Sequence, residues 1–227
     1  MPIELSPEVR QFCEALRRFL EHEVEPRSRW IEEHDTIPDE LMQMARDLGL
    51  FGITIPEEYG GAGFDLAGKC AIEEELGKSN YGFASVIANH TGIATTGIVA
   101  LGSAGQKRQY LPRMATGELI GCFALTEPQA GSDPAAMRTT AVKQGDRYVL
   151  DGEKIYITNG DVASVIVLIC KIMDKPDGRG KVSALLVDVP SPGFSTRVYR
   201  TKLGIRAAST AVLTLKDVRV PKSNLLG

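Results

Sequence analysis

Two hydroxyl side chains and a flexible turn follow a short apolar run in the stretch "CFALTEPQAGSD". The small apolar residues predict a strand that stops at Thr126 and a Glu-Pro pair, after which Gly131 and Ser132 predict a polar turn. A strand that ends in this way brings backbone N–H groups and short side-chain donors together, so the stretch is a candidate ligand site. The same residues also favour a simpler interpretation, a strand followed by an ordinary capped turn.

The cysteines and histidines show no spacing typical of a metal site or of a disulfide framework. Cys13, Cys70, Cys122 and Cys170 lie far apart in apolar stretches without a CxxC pair, so we interpret them as buried thiols. His90 lies in an apolar helical stretch with no second ligand at helical spacing. We therefore expect an interior histidine with satisfied hydrogen bonds rather than a base or a metal ligand.

The net charge and the first residues of the chain exclude several classes of partner and location. A net charge of −3 over 227 residues offers no broad basic surface, so neither nucleic acid nor a membrane is an expected partner. The first residues lack the basic and apolar segments of a leader, and we expect no uncharged apolar run of transmembrane length. These features predict a cytoplasmic protein of bacterial type.

Helical periodicity extends from about residue 6 to residue 117. Ser6 and Pro7 are typical of a helix start, and Pro26 is expected to limit that helix. A second helix begins near Thr36, with Pro38 in its first turn, and ends at Gly49. Its expected buried residues are Leu41, Met44, Ala45 and Leu48, and a third helix spans about 65–76.

The rest of the helical half contains a glycine-rich loop and an apolar helix. "LFGITIPEEYGGAG" predicts a short extended piece and a structural turn, because the strand and helix context of a phosphate-binding loop is missing. "FASVIANHTGIATTGIVALG" is apolar on nearly every face and predicts a central helix. Its Gly92 and Gly97 leave room for a slim apolar ligand or allow close helix packing, and both interpretations stay open. "GQKRQYLPRMATGE" predicts the last helix.

After residue 117 the period of the pattern changes to two. Hairpins are expected at Gly145-Asp146 and at Asp151-Gly152, "SVIVLICKI" predicts a strand buried on both faces, and "KPDGRGK" a solvated loop. Further strands are expected at "VSALLVDV", "FSTRVYR" and "AVLTLKDVRV". The predicted fold class is therefore α+β, with an all-helical N-terminal domain and an antiparallel β-sandwich or barrel domain. We assign residues 1–118 to the first, 119–220 to the second, and 221–227 to the start of a linker.

Five segments together resemble one family. "CFALTEPQAGSD", "GEKIYITNG" and "KLGIRAAST" follow a helical half that carries "IPEEYGGAG" and ends in "QKRQYLPRMATGE", in the order found in the acyl-CoA dehydrogenase family. The resemblance implies an oxidoreductase, a flavoprotein of fatty acid metabolism. Such an enzyme binds FAD and dehydrogenates an acyl-CoA thioester to a trans-2-enoyl-CoA.

The resemblance also implies which residues bind the cofactor. In the first segment the Leu125 amide and the Thr126 hydroxyl would face the isoalloxazine ring, and Ser132 would lie near both FAD and the substrate. In the second segment an aromatic ring at Tyr156 would pack on the flavin and the Thr158 hydroxyl would approach N5. The implied cofactor-binding residues are Phe123, Leu125, Thr126, Gly131, Ser132, Tyr156, Ile157 and Thr158, with Ser132 also binding substrate.

Other polar residues near these segments have roles outside the cofactor contacts or more than one possible role. The resemblance favours a turn role for Glu127 over a catalytic one, and Asp133 is better interpreted as an Asx-turn residue. Arg206 could reach a phosphate of coenzyme A or form a salt bridge that stabilises the sheet. Tyr156 replaces the tryptophan of many relatives, which reduces the stacking area, and Gln129 and Pro134 also depart from the pattern. We expect no metal.

The family pattern continues with a third, helical domain that supplies the catalytic glutamate and part of the FAD site. Nothing in residues 1–227 matches that domain, so no catalytic base is assigned here, and the chain alone is expected to be inactive. The implied partners are acyl-CoA, an electron-transferring flavoprotein, and further subunits of a homodimer or homotetramer. Alternatives are a flavin monooxygenase or nitroalkane oxidase of the same fold, or a truncated, non-catalytic protein that binds an acyl group or a partner.

Overall fold

The computed structural model describes residues 4–174 and 180–227, and it places helices before a sheet, as the predicted α+β class requires. The helices are α1 (Pro7–Phe19), α2 (Ser28–His34), α3 (Asp39–Asp47), α4 (Leu66–Leu76), α5 (Tyr81–Asn89), α6 (Thr95–Leu101) and α7 (Ala104–Ala115). The strands are β1 (Gly121–Ala124), β2 (Thr140–Gln144), β3 (Arg147–Thr158), β4 (Val165–Met173), β5 (Lys181–Asp188), β6 (Phe194–Val198), β7 (Thr210–Pro221) and β8 (Leu225–Leu226).

The first helix begins as its cap predicts, but Pro26 does not stop the helical path. The Ser6 hydroxyl accepts a hydrogen bond from the Val9 N–H at 3.2 Å. A π-helical turn (Leu20–Val24) and a 3₁₀ turn (Glu25–Arg27) then lead into α2. Proline has no N–H for the regular ladder, and the change of helical turn accommodates it.

The second predicted helix is α3, and Gly49 ends it in the left-handed conformation at φ 79°. Leu41 and Ala45 are buried there, whereas Met44 is 38% exposed, so its predicted burial is wrong. The extended piece expected next is also wrong, because Leu50–Gly52 forms a 3₁₀ turn.

The glycine-rich loop after this turn is structural, as predicted. The N–H groups of Ala62 and Gly63 donate to Gly52 O and Ile55 O, each at 2.9 Å, so the loop folds back on itself. A side chain at Gly61 would begin only 2.0 Å from Ile55 O, which explains the glycine there.

The apolar helix is the continuous run of α5, a π-helical turn (His90–Ala94) and α6. This 21-residue run, Tyr81–Leu101, has a mean hydropathy of 1.2 and is long and apolar enough to cross a membrane. The expectation of no such uncharged run is therefore wrong. Half of the run is buried within the chain rather than nearly all of it, and core helices of soluble proteins pass the same test. A Cβ at Gly97 would lie 3.5 Å from Leu226, which favours close packing.

Strand β4 pairs with three other strands of the sheet. The strand order of the sheet is β6-β7-β3-β2-β4-β5-β8. One edge of β4 pairs with β5, and the other pairs first with β1 and then with β2. The pairings of β1 and β2 with β4 are parallel, whereas an antiparallel sheet was expected throughout. Residues 125–139 leave the sheet between these two strands, and we call them the excursion loop.

Only the first of the two predicted hairpins exists in the described sheet. Strands β2 and β3 turn at Gly145-Asp146, as expected. Strand β3 continues through Asp151-Gly152, where its pairing with β7 shifts register at a β-bulge. The second hairpin is therefore wrong, since β3 stays extended here and the extra residue of the bulge lies in β7, where residues 216 and 217 face Asp151.

The sheet extends beyond residue 220, the end expected for the β domain. Leu225–Leu226 pairs with β5, and the Gln106 side chain donates to Ser223 O and Leu225 O at 2.8 and 2.9 Å. Leu225 and Leu226 are thus paired with the sheet, and the division of the chain at residues 118 and 220 stays a prediction. Residues 175–179 of "KPDGRGK" lie outside the described residues.

Buried apolar clusters occupy the helical half, the sheet, and the contact between them. Cys13, Cys122 and Cys170 are buried free thiols, as predicted. Cys70 is exposed, so that part of the prediction is wrong.

Candidate functional site

The two segments expected to contact a flavin lie side by side. Leu125 begins the excursion loop after β1, and the carbonyl of the next residue, Thr126, accepts a hydrogen bond from the Ile155 N–H in β3 at 2.9 Å. This bond places the Thr126 backbone beside Ile155, the residue before Tyr156, and Thr158 follows two residues further along β3. The structure therefore brings the backbones of the two predicted segments together.

The hydroxyl groups of this site are available to a ligand. Thr126 and Thr158 are partly exposed and Ser132 is exposed. Within residues 4–174 and 180–227, the structure gives none of these three hydroxyls a hydrogen-bond partner. Gly131 is exposed as well, and a Cβ there would meet no atom within 4 Å.

Tyr156 presents its ring at the surface of the same site. The side chain is 64% exposed, and its ring stacks on that of Tyr199 with centroids 5.3 Å apart and planes 25° apart. Its backbone adopts φ 58°, a conformation that costs a non-glycine residue energy. The ring is thus held by stacking rather than by burial, on a strained backbone position.

Three of the predicted cofactor-binding residues have a group that is already engaged within the chain. Ile157 is 3% exposed and packs in the sheet core, so a ligand would contact its backbone. Phe123 is half-buried and packs between the sheet and the helical half. The Leu125 carbonyl accepts a hydrogen bond from Lys154 Nζ at 2.9 Å, so a polar contact from Leu125 to a ligand would come from its N–H.

A buried ion pair beneath the site was missed in the sequence analysis. Lys154 Nζ lies 2.6 Å from Glu127 Oε1, and both side chains are almost fully buried. Glu127 also accepts hydrogen bonds from the N–H groups of Arg138 at 2.5 Å and Thr139 at 3.1 Å. Lys154 belongs to "GEKIYITNG", and its partner Glu127 to "CFALTEPQAGSD", so the pair joins the two predicted segments.

The surroundings of Glu127 determine its charge. Burial raises the pKa of this carboxyl, but hydrogen bonds from Arg138, Lys154 and Thr139 outweigh burial and lower the pKa to about 2. Burial lowers the pKa of Lys154, and the pairing with Glu127 opposes that shift. A carboxylate so stabilised accepts a proton poorly, so Glu127 is unsuited to act as a base.

The turn roles expected for Glu127 and Asp133 are confirmed. Glu127 and Ala130 exchange backbone hydrogen bonds of 3.0 and 3.1 Å. The Asp133 Oδ1 accepts the Ala135 N–H at 3.1 Å, which makes an Asx turn. The excursion loop is thus ordered by its own turns as well as by the ion pair.

Arg206 forms a salt bridge, which was one of its two expected roles, the other being contact with a phosphate of coenzyme A. The salt bridge is not within the sheet. Its guanidinium contacts both oxygens of Asp35, at 2.5 and 3.2 Å. Asp35 follows α2, so the pair connects the loop before β7 to the helical half.

His90 is a satisfied interior histidine, as predicted. Its side chain is fully buried, its Nε2 lies 3.1 Å from Met114 O, and its Nδ1 accepts the Gly121 N–H at 3.0 Å. Burial lowers the pKa of the imidazole to about 4. His90 therefore supports the start of β1 at Gly121, three strand residues before the excursion loop begins.

A cavity of about 570 Å³ lies between the helical half and the sheet, and it adjoins the site at Tyr199, which stacks on Tyr156, and at Asn159, which follows Thr158. Asp35, Arg46, Asn159, Tyr199 and Arg200 are among its lining residues, whereas Thr126, Ser132 and Thr158 are not. The candidate site is therefore an open surface beside β3 rather than an enclosed pocket.

Comparisons with known proteins cover nearly the whole chain. Residues 6–118 match the model described as acyl-CoA dehydrogenase, N-terminal domain, and residues 122–218 match acyl-CoA dehydrogenase, middle domain. A short-chain specific acyl-CoA dehydrogenase of Clostridium acetobutylicum is 38% identical over 100% of this chain and 60% of its own length.

Solved structures show the same similarity. Butyryl-CoA dehydrogenase from Megasphaera elsdenii is 31% identical with a TM-score of 0.92, over 100% of this chain and 60% of that one. An acyl-CoA dehydrogenase complexed with FAD from Bacillus anthracis is 39% identical with a TM-score of 0.89, over 100% of this chain and 38% of that one. The chain spans about 60% of the length of the Clostridium and Megasphaera proteins. It belongs to the acyl-CoA dehydrogenase family.

Proposed function

We propose that this chain forms the helical and sheet parts of an FAD-dependent acyl-CoA dehydrogenase, which converts an acyl-CoA thioester to a trans-2-enoyl-CoA. The observation that carries the proposal is the bond between Ile155 and Thr126, which joins the segment that bears the Thr126 hydroxyl to the strand that bears the exposed Tyr156 ring and the Thr158 hydroxyl. The FAD in the Bacillus anthracis relative supports the same cofactor here.

The residues present fit a flavin. A flat ring system with polar edges requires an apolar face to pack on and hydrogen-bonding groups around it. Tyr156 offers the face, and the hydroxyls of Thr126, Thr158 and Ser132 lack internal partners among the described residues. We assign cofactor binding to these residues and to Phe123, Leu125, Gly131 and Ile157, and substrate binding to Ser132.

When bound, FAD would supply the hydride-accepting chemistry for the substrate β-carbon. Amide and hydroxyl donors at Leu125 and Thr126 would stabilise negative charge at one edge of the ring, and Thr158 would orient the edge that takes the hydride. Threonine hydroxyls do not exchange protons at neutral pH, so both residues bind and orient. Tyr156 sets the plane of the ring.

The proton on the substrate α-carbon requires a base that Glu127 does not supply. Its pKa of about 2 and its ion pair with Lys154 keep it ionised and engaged. The proposal assigns this role to a glutamate beyond residue 227 in a longer protein. It also includes an electron-transferring flavoprotein as acceptor, a homodimer or homotetramer, and a cytoplasmic location.

The test compares the 227-residue chain with the product of the complete coding sequence. Flavin absorbance is read after purification, and a panel of acyl-CoAs is then added with a dye acceptor. We expect weak FAD binding and no turnover for the short chain, and stoichiometric FAD with acyl-CoA-dependent bleaching for the complete protein. Bleaching by nitroalkanes alone would instead identify a nitroalkane oxidase, and no flavin in the complete protein would exclude the proposal.

Thr158→Ala tests the site itself in the complete protein. Loss of one hydrogen bond of about 1.4 kcal/mol should slow flavin reduction about tenfold, with little change in acyl-CoA binding. Thr196→Ala, an exposed β6 residue away from the site, is the matched control. Equal reduction rates for Thr158→Ala and the control would remove Thr158 from its role.

A further inference from the structure

The excursion loop is held at both of its ends by one ion pair. It leaves the sheet after Ala124, which pairs with Leu168, and returns at Thr140, which pairs with Lys171. Near the residue where the loop leaves the sheet, Glu127 Oε1 accepts a hydrogen bond from Lys154 Nζ of the adjacent strand β3. The same carboxylate binds the N–H groups of Arg138 and Thr139 at the return.

Burying this ion pair costs desolvation free energy that a turn without buried charges would not require. Lys154 and Glu127 have side-chain exposures of 0% and 2%. Burial of two charges is offset only where further hydrogen bonds satisfy them, and apolar residues often replace such pairs without loss of stability. The ion pair therefore suggests a function beyond holding the fold together.

The contact between Lys154 and the Leu125 carbonyl indicates what that function is. Nζ donates to Leu125 O at 2.9 Å. The Leu125 carbonyl and the Thr126 N–H belong to one conjugated peptide unit, so a cation at the oxygen increases the positive charge on the N–H. Lys154 thus strengthens the N–H of Thr126, a second donor of the residue whose hydroxyl we assign to the flavin and the neighbour of the assigned Leu125 amide.

We propose that Lys154 and Glu127 are positioning residues of the flavin site, with two distinct effects. Lys154 polarises the Leu125–Thr126 peptide and so favours a negatively charged, reduced ring beside it, whereas Glu127 fixes the path of the excursion loop. This inference rests on the proposed function, since it assigns a role toward the proposed cofactor.

The test measures the reduction potential of the bound flavin in the complete protein. Lys154→Met leaves an uncompensated anion and an unpolarised peptide, so the preference for reduced over oxidised flavin should fall about tenfold or more. Glu127→Gln leaves the cation on the Leu125 carbonyl, so this preference should stay equal or increase. Equal decreases in both variants, or no change in Lys154→Met with flavin bound, would overturn the inference.

A second variant covers the case in which Lys154→Met does not fold. Glu127→Gln with Lys154→Met removes both charges, and its flavin should keep the weaker preference for reduction while its thermal stability recovers. An unchanged potential in that double variant would show that the pair is structural alone.

Two controls separate this inference from the proposed function. Arg17→Met and Glu75→Gln remove an ion pair of 2.7 Å in the helical half and should leave the flavin potential unchanged. The flavin content of the wild-type protein decides the proposed function. Its absence would overturn both proposals, whereas a normal flavin with variant-independent potentials would overturn only this one.

Discussion

His90 and Gly121 are joined by a buried hydrogen bond of 3.0 Å, in which the backbone N–H of Gly121 donates to the imidazole Nδ1. The other ring nitrogen lies 3.1 Å from Met114 O, so the ring links α7 to the start of β1. A protonated Nδ1 cannot accept a hydrogen bond, and the native state therefore requires the neutral imidazole. Burial lowers the pKa of His90 to about 4, from the ordinary value of 6.5.

Acid should destabilise the fold through His90 in a defined pH window. Because the native pKa lies below the unfolded one, the contribution is complete above pH 6.5 and is lost as the pH falls toward 4. The shift corresponds to roughly 3 kcal/mol of unfolding free energy. Urea denaturation of the wild type and of His90→Gln at several pH values measures this loss of unfolding free energy. The variant should be less stable at pH 7 and lose less stability below pH 6, and parallel pH profiles would contradict this account.

Tyr156→Gly should separate flavin binding from stability. Glycine relieves the strain of φ 58°, which offsets the lost stacking on Tyr199, so the free energy of unfolding should change by less than about 1 kcal/mol. FAD affinity in the complete protein should fall about tenfold or more, as measured by titration. Ile205→Gly is the matched control, since Ile205 has φ 55° outside the site. Ile205→Gly should keep or raise the free energy of unfolding at unchanged FAD affinity. Equal losses of FAD affinity in Tyr156→Gly and Ile205→Gly would exclude packing of the Tyr156 ring on the flavin.

Gly152→Ala should be strongly destabilising because the pairing of β3 with β2 brings Gly152 against Thr139, at the return of the excursion loop. A Cβ at Gly152 would lie 2.4 Å from Thr139 Oγ1 and 2.7 Å from Thr139 Cα. We expect a loss of roughly 2 to 3 kcal/mol in urea denaturation. Gly145→Ala also places alanine at a positive φ, 59°, but in the left-handed region and with open space around it, so it should cost only about 1 kcal/mol. Equal losses in the two variants would show that the contact with Thr139 relaxes freely.

Local patterns were sufficient for much of this fold. Ser6 predicted the start of α1 and Gly49 the end of α3, because cap and left-handed residues act within one turn. The hydroxyl segments were also found, and the structure sets Thr126 beside β3 through the bond from Ile155.

Features that depend on long-range pairing were missed. The bulge at Gly152 has the same residue types as a turn, and only its pairing with β7 distinguishes the two. Because a hairpin was expected there, β3 was not predicted as one continuous strand, and the inward direction of the Lys154 side chain was missed. Its partner, Glu127, lies 27 residues away in the sequence. A lysine within a strand that is otherwise apolar on one face was the available signal, since such a residue requires a buried acceptor.

Gly131→Ala tests whether a ligand approaches the excursion loop closely. The chain itself gives no reason for glycine there, because a Cβ would meet nothing within 4 Å and its φ is not in the left-handed range. Alanine should therefore keep or raise the free energy of unfolding by about 0.5 kcal/mol, through a less flexible unfolded state. If FAD or acyl-CoA packs against this backbone, FAD affinity or the KM for acyl-CoA should worsen at least threefold in the complete protein. Gly204→Ala, another glycine in open space, is the control and should change neither. Full affinity and KM in Gly131→Ala would show that the ligand contacts the loop elsewhere, at Thr126 and Ser132 alone.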